Sequence, residues 1–264
     1  MSPAQLRRMV PLKHLDFSLA APRLVLAVGL LFSAVAQADI PRTADGKPDF
    51  SGIWQTLSGA DYGLEPHSTR KDAPPGPGVV TALPYQDWAL KRRDENFKHR
   101  HERDTARQCF SLGTPRGVYY PEPFQIFQRE RDLTLLFQRG FRTRTIHTNG
   151  SVHPEGPIGF WFGDSRAHWE GDTLVVDVVD FTDQTWLDSA GNFHSEELHV
   201  VERWSYVDEN TIQYAATIED PQVFTQPWSF SIQLHRIREP NFQLIENACY
   251  TLDYDQYYPI PAAE

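Results

Sequence analysis

The sequence predicts a mainly β protein, either an antiparallel up-and-down, lipocalin-like barrel or a strongly curved sheet, with one inserted helix near 85–101. Short runs rich in Val, Ile, Thr and aromatic residues recur after Pro115. Turn-forming residues separate them, for example at 148–150, 170–172 and 207–210, as antiparallel hairpins require. The segments between the runs are too short for repeated parallel crossovers, which favours antiparallel pairing.

The first 38 residues have the three parts of a secretory signal peptide. Basic residues come first, an apolar run of 13 residues extends from Leu24 to Ala36, and the small-x-small sequence Ala36-Gln37-Ala38 ends it. A helix that crosses a bilayer needs about 20 residues, and no later stretch is long and uncharged enough. We therefore expect cleavage near Ala38 and a periplasmic or secreted protein, with an uncleaved anchor as the alternative.

The mature chain, 39–264, is expected to form a single domain with an acidic surface. Removal of four basic residues and one acidic residue changes the formal charge from −10 to −13. Nucleic-acid binding depends on Lys and Arg side chains that neutralise phosphates, so this balance argues against a nucleic-acid partner.

The first strand is expected at Phe50–Gln55, and 62–84 reads as an irregular excursion rich in Pro and Gly. Pro84 precedes the helix candidate, since proline suits the first turn of a helix. The basic residues of this helix are interpreted as a solvated face. Further strands are expected at 124–129, 133–138, 143–148, 158–162, 166–170, 173–179, 198–206, 211–219, 228–236 and 243–250.

Cys109 and Cys249 are the two cysteines of the chain. An even number of cysteines in an exported protein favours one disulfide bond, and two buried free thiols are the alternative.

Alternate residues of a strand share a face, which divides the strand at 198–206 into two sets. One set is Leu198, Val200, Glu202, Trp204 and Tyr206; the other is His199, Val201, Arg203 and Ser205. Both sets mix polar and apolar side chains, so parity leaves open which of them lines the interior.

A histidine held by a carboxylate can act as a general acid or base near neutral pH. An arginine can bind a substrate carboxylate or stabilise an enolate or phenolate. The predicted catalytic residues are His199, His194, Asp188, Glu202 and Arg203. The predicted substrate-binding residues are Trp186, Trp204, Arg144 and His147.

Several histidines also permit a divalent metal site. The candidate ligands are His147, His153, His194 and His199, with Asp164 or His168 nearby. Their spacing matches no known metal signature, and the alternative is a set of hydrogen-bonded loop histidines. No nucleotide-binding or serine-hydrolase motif occurs, so no nucleotide cofactor is expected.

Long blocks of the chain resemble a family of uncharacterised secreted bacterial proteins. These blocks are 41–54, 109–116, 153–154, 169–177, 185–195, 198–199 and 202–203. The resemblance implies export and a single domain, and it directs attention to these blocks as the places where function resides.

Gly52-Ile53-Trp54 is similar to the G-x-W sequence in the first strand of lipocalin-like (calycin) barrels. In those barrels the tryptophan packs beneath an arginine from a late strand. The resemblance implies that Arg236 or Arg238 packs on Trp54.

These features predict an enzyme that uses acid–base chemistry, with or without a metal, on an aromatic or polycyclic small molecule: a lyase, isomerase or hydrolase. The aromatic share of 12% suits a flat apolar ligand. The alternative is a lipocalin-like carrier of an apolar small molecule, and a third possibility is an accessory protein of the envelope. The sequence does not fix the oligomeric state.

Overall fold

A closed barrel of nine strands in chain order dominates the structure, a computed structural model that describes residues 40–68, 74–246 and 249. The predicted signal peptide lies outside the described residues. The strands are β1 (Gly52–Thr56), β2 (Phe124–Gln128), β3 (Asp132–Phe137), β4 (Arg142–His147), β5 (Asp164–Glu170), β6 (Thr173–Val179), β7 (His199–Asp208), β8 (Thr211–Glu219) and β9 (Trp228–Arg236). The helices are α1 (Asp87–Lys98), α2 (Arg100–Arg103) and α3 (Arg116–Tyr119). The prediction of a mainly β barrel with a small inserted helix is confirmed.

One strand pair departs from the antiparallel expectation, because β4 and β5 are parallel. The segment 148–163 between them is long enough to return the chain to the starting end of β4, as a parallel connection requires. The strand predicted at 158–162 lies in this connection and forms only an isolated bridge, between Phe160 and Phe181. Likewise, residues 243–246 belong to no strand, and most of the rest of the strand predicted at 243–250 lies outside the described residues.

Alternation of buried and exposed positions gives the barrel its core. In β3, β8 and β9, every second residue is buried, which is the pattern of a sheet with one face packed and one face solvated. Aromatic rings fill much of the interior: Trp204 contacts Tyr214 edge-on, with ring centroids 4.8 Å apart, and Tyr214 contacts Phe230 at 6.1 Å. Each such large apolar side chain contributes roughly 1.5–3 kcal/mol by burial.

The structure also shows which face of β7 lines the barrel interior. Val200, Glu202 and Trp204 are almost fully buried and form the interior set. His199 and Arg203 lie on the outer face of the barrel, where His199 contacts Asp177 of the neighbouring strand β6 and Arg203 forms an ion pair with Glu170 at the end of β5.

The ends of the sheet meet where β1 pairs with β9, and Trp54 lies opposite Arg236 there. The guanidinium of Arg236 lies over the Trp54 ring, 4.3 Å from its centroid, so Arg236 makes the contact expected of it. Gly52 has a φ of +138°, and a Cβ atom there would lie 2.3 Å from Arg236 Nη1. Glycine therefore leaves the space that the arginine occupies.

The predicted disulfide bond between Cys109 and Cys249 is present, with Cα atoms 5.3 Å apart. The bond joins positions separated by 140 residues. Of the helices in the described part of the chain, none has the length and apolar character needed to cross a membrane.

Candidate functional site

The barrel wall has a cleft between β4 and β5. These strands are paired over only two residues each, Ile146 with Ser165 and His147 with Arg166, whereas β5 and β6 are paired along the whole of β5. The cleft has a volume of about 480 Å³. Its lining includes the polar residues Arg144, His147, Asp164 and Ser165 and the aromatic residues Phe160 and Trp161. We call it the seam cleft.

The floor of the seam cleft is a buried ion pair. Arg144 donates from Nη1 and Nη2 to the two carboxylate oxygens of Glu202, at 2.9 and 2.6 Å, and from Nε to Ser165 Oγ at 3.0 Å. Tyr214 donates its hydroxyl hydrogen to Glu202 at 2.7 Å. Loss of one partner from such a buried pair costs about 3–5 kcal/mol, because the other charge is left uncompensated.

His147 lies at the end of β4, and its imidazole lines the cleft. The imidazole forms no hydrogen bond with any other described residue, so both ring nitrogens are available to a ligand. Because alternate residues of a strand face opposite sides, His147 lies on the outer side of β4 and Arg144 on the inner side. Both still line the cleft, because the gap between β4 and β5 opens through the barrel wall.

Asp164 contributes a fixed negative charge to the cleft. Arg166 donates to both of its carboxylate oxygens, at 2.6 and 2.8 Å, and His153 Nδ1 donates at 2.6 Å. Burial raises the pKa of Asp164, but the hydrogen bonds from Arg166 and His153 outweigh burial and hold the pKa below its usual value. The preceding Gly163 has a φ of +70°, and a Cβ atom there would lie 2.6 Å from Val178, so only glycine permits this approach.

A chain of alternating carboxylates and imidazoles extends from Asp164 across the outer face. His153 Nε2 lies 3.2 Å from one oxygen of Asp177, and His199 Nε2 lies 2.5 Å from the other. His199 Nδ1 lies 3.9 Å from Glu219. Burial raises the pKa of Asp177, but the hydrogen bonds from His199 and His153 lower it further than burial raises it. Two of the predicted metal ligands therefore meet at one carboxylate.

The other two predicted ligands lie elsewhere, His147 in the seam cleft and His194 in the loop 185–195. Across the described ranges, no three His, Cys, Asp or Glu side chains are arranged to hold a metal ion.

His194 is buried and engaged at both ring nitrogens. Nε2 lies 2.7 Å from Thr185 Oγ1, and Nδ1 lies 2.8 Å from the Ser195 carbonyl oxygen. Burial lowers the pKa of His194, so the imidazole is neutral near neutral pH. These contacts hold the two ends of the loop 185–195 together.

Asp188 organises the middle of the same loop. Its buried carboxylate accepts hydrogen bonds from the backbone N–H groups of Leu64, Ala190 and Asn192, at 2.8–3.2 Å, and from Asn192 Nδ2 at 2.6 Å. Burial raises the pKa of Asp188 to about 6. Trp186, buried in this loop, forms a backbone bridge with Phe193.

The five predicted catalytic residues thus occupy three environments. His199 and Arg203 lie on the outer face, where Arg203 donates to Glu170 at 2.7 Å. Glu202 lies inside the barrel beside Trp204, and His194 and Asp188 lie within the loop 185–195. The structure pairs Glu202 with Arg144 and does not bring the five side chains into one site.

Several residues of the candidate site were missed by sequence reasoning. Phe160 and Trp161 were assigned to a strand, Ser165 carried no motif, and Asp177 was noted only as the last residue of the block 169–177. Their positions follow from strand register: Arg166 lies opposite Asp177, and Ser165 lies beside Ile146. Register between strands distant in sequence was not predicted, and it alone could have revealed them.

Comparisons of the chain with protein-family models, with curated proteins and with solved structures find no match.

Proposed function

We propose that this protein is an exported enzyme that uses acid–base chemistry on an aromatic or polycyclic small molecule, as a lyase, isomerase or hydrolase, and that the seam cleft is its active site. The observation that carries the proposal is the composition of the cleft: the imidazole of His147, the guanidinium of Arg144 and several aromatic residues, among them Phe160 and Trp161, line one opening. The chemistry requires neither a nucleotide nor a metal.

Within this proposal His147 is the general acid or base. An imidazole can both accept and donate a proton, and the ring nitrogens of His147 are not engaged by other described residues. Arg144 stabilises the negative charge that develops on a substrate oxygen, because a guanidinium in a water-poor floor acts strongly on nearby charge. Its second hydrogens on Nη1 and Nη2 are not used by Glu202.

The aromatic residues support a flat substrate. Phe160 and Trp161 form one side of the cleft, and offset or edge contacts with such rings favour aromatic ligands. A lipocalin-like carrier would instead hold its ligand inside the barrel, where Trp204, Tyr214 and Phe230 contact one another. The enzyme is therefore the better supported of the two functions.

Two features support export. The first 38 residues have the three parts expected of a secretory signal peptide, and the Cys109–Cys249 disulfide is of the kind that persists in oxidising compartments.

The first experiment measures hydrolysis of naphthyl acetate and binding of naphthol by the mature protein. We expect His147→Asn to lower kcat by about a hundredfold, the usual loss on removal of a general base. Naphthol affinity should stay within about twofold, since Phe160 and Trp161 provide most of the contact.

His168→Asn is the matched control. His168 lies on the outer face of β5, is exposed and contacts Glu170 Oε1 at 3.3 Å, away from the cleft lining. Equal loss of activity in both variants would count against His147, and naphthol binding without hydrolysis above the His147→Asn level would favour the carrier.

A further inference from the structure

A second cleft lies between the loop 185–195, the helices α1 and α2, and the segment 62–68. It has a volume of about 660 Å³, a size typical of small-molecule sites. It shares no lining residue with the seam cleft. We call it the helix-side cleft.

The helix-side cleft is rich in cations although the protein as a whole is acidic. Among the described residues, the lining has three arginines, Arg93, Arg100 and Arg107, two histidines, His67 and His101, and one acidic residue, Glu65. The formal charge of the chain is −10. Such a local reversal of sign concentrates anions at one place on a surface that otherwise repels them.

These arginines are available to a ligand. The side chain of Arg107 is exposed and forms no hydrogen bond or ion pair with a described residue. Arg93 Nε is buried without a hydrogen bond and lies 3.4 Å from Asp94, its one ion-pair partner within the described chain. Arg100 donates from Nη1 to the Phe97 carbonyl oxygen, and its guanidinium stacks on the Phe97 ring, 4.1 Å from the ring centroid. The other N–H groups of this guanidinium remain free to bind a ligand.

Helical spacing explains the arrangement. Arg93, Phe97 and Arg100 follow one another at intervals of four and three residues, so they share one face of the helical segment. Arg107 reaches the same cleft from the turn after α2. The opposite wall adds the apolar groups of Tyr62 and Pro66.

We propose that the helix-side cleft binds a small organic anion, in which a carboxylate or phosphate group is joined to an apolar or aromatic body. Arginine recognises both oxyanions through paired N–H donors. The Phe97 and Tyr62 rings contact the body of the ligand. Arg93 and Arg100, interpreted from sequence as part of a solvated face, thereby form part of a binding site.

Titration calorimetry at low salt tests this with three probes: phenyl phosphate, benzoate and neutral benzyl alcohol. We expect one or both anions to bind the mature protein, with the preferred anion identifying the oxyanion, and benzyl alcohol to show no binding. Arg107→Gln and Arg93→Gln should each weaken anion binding by about tenfold or more, as loss of a charge-assisted hydrogen bond does. Added salt should weaken it further.

Arg103→Gln is the control, because Arg103 is an exposed arginine of α2 outside the cleft lining. It should change anion affinity by less than about twofold. The proposal is overturned if neither anion binds folded wild-type protein, or if Arg103→Gln weakens binding as much as Arg107→Gln. Since Arg107 is exposed, its variant keeps the test valid even if Arg93→Gln disturbs folding.

Discussion

Asp188 illustrates how burial and hydrogen bonding compete at one residue. Four N–H donors surround its carboxylate, which favours the charged form, yet burial opposes the charge and leaves the pKa at about 6. The donors come from the loop 185–195 and from Leu64. Asp188 therefore connects two segments at the edge of the helix-side cleft.

This pKa predicts a specific pH dependence of stability. A carboxyl group has a pKa of about 3.9 in an unfolded chain, so between about pH 4 and about pH 6 the folded state binds more protons. The stability that this difference contributes is complete at the acidic end and is lost as the pH rises through 6, a fall of roughly 3 kcal/mol. We expect Asp188→Asn to abolish this fall in urea denaturation curves measured across the range.

Asp164 and Asp177 act with the opposite sign. Their pKa values are lowered in the folded state, so their contributions are present above about pH 4 and are lost in more acidic solution. Both carboxylates are retained in Asp188→Asn, and the difference between the two proteins isolates Asp188. Identical slopes for wild type and variant would show that Asp188 has an ordinary pKa.

At the scale of single elements, the loop 185–195 and α1 depend on a close contact. Asn96 Nδ2 donates to the Gly191 carbonyl oxygen at 3.1 Å. Gly191 has a φ of +88°, and a Cβ atom there would lie 2.7 Å from Asn96 Cβ and 2.9 Å from the backbone nitrogen of Phe97. A side chain at position 191 would therefore push α1 away from the loop.

We expect Gly191→Ala to lower the free energy of unfolding by at least about 1 kcal/mol more than Gly171→Ala. Gly171 has a φ of +59° and open space around the Cβ position, so its substitution measures backbone strain alone. Thermal and urea denaturation of both variants give the comparison. Equal losses would mean that α1 adjusts to the added methyl group without cost.

Residue patterns in the sequence predict some elements of the barrel better than others. Strands such as β3 and β8 alternate between apolar and polar residues, which fixed both their existence and their approximate ends. The connection 148–163 contains a short aromatic run that resembles a strand, and because of that error the parallel pairing of β4 with β5 was not predicted. Arg144 and His147 were predicted to bind substrate. The gap that exposes them depends on the short pairing of β4 with β5, which the residue pattern within each strand does not indicate.

At the scale of the whole molecule, closure of the sheet and one covalent bond determine stability. The first and last strands leave no free edge, since β1 pairs with β9. The Cys109–Cys249 bond then connects the segment after α2 with the region beyond β9. In the chain-entropy account, a loop this long stabilises the folded state by restricting the unfolded chain.

Reduction should therefore lower the free energy of unfolding by up to about 5 kcal/mol. Urea denaturation with and without reductant measures the change. The double variant Cys109→Ser, Cys249→Ser should match the reduced wild type and should not respond to reductant. A wild type that is equally stable in both conditions would show that the bond contributes no net stability.

The short ladder between β4 and β5 has a consequence for motion as well as for shape. With only two residue pairs to separate, this is the place where the ring of strands opens at the lowest free energy. A molecule seated between the two strands contacts both and would hold them together. In the proposed function, substrate binding and opening of the barrel wall are therefore coupled, so we expect the width of the cleft to adjust to the bound molecule and the protein to accept rings of several sizes.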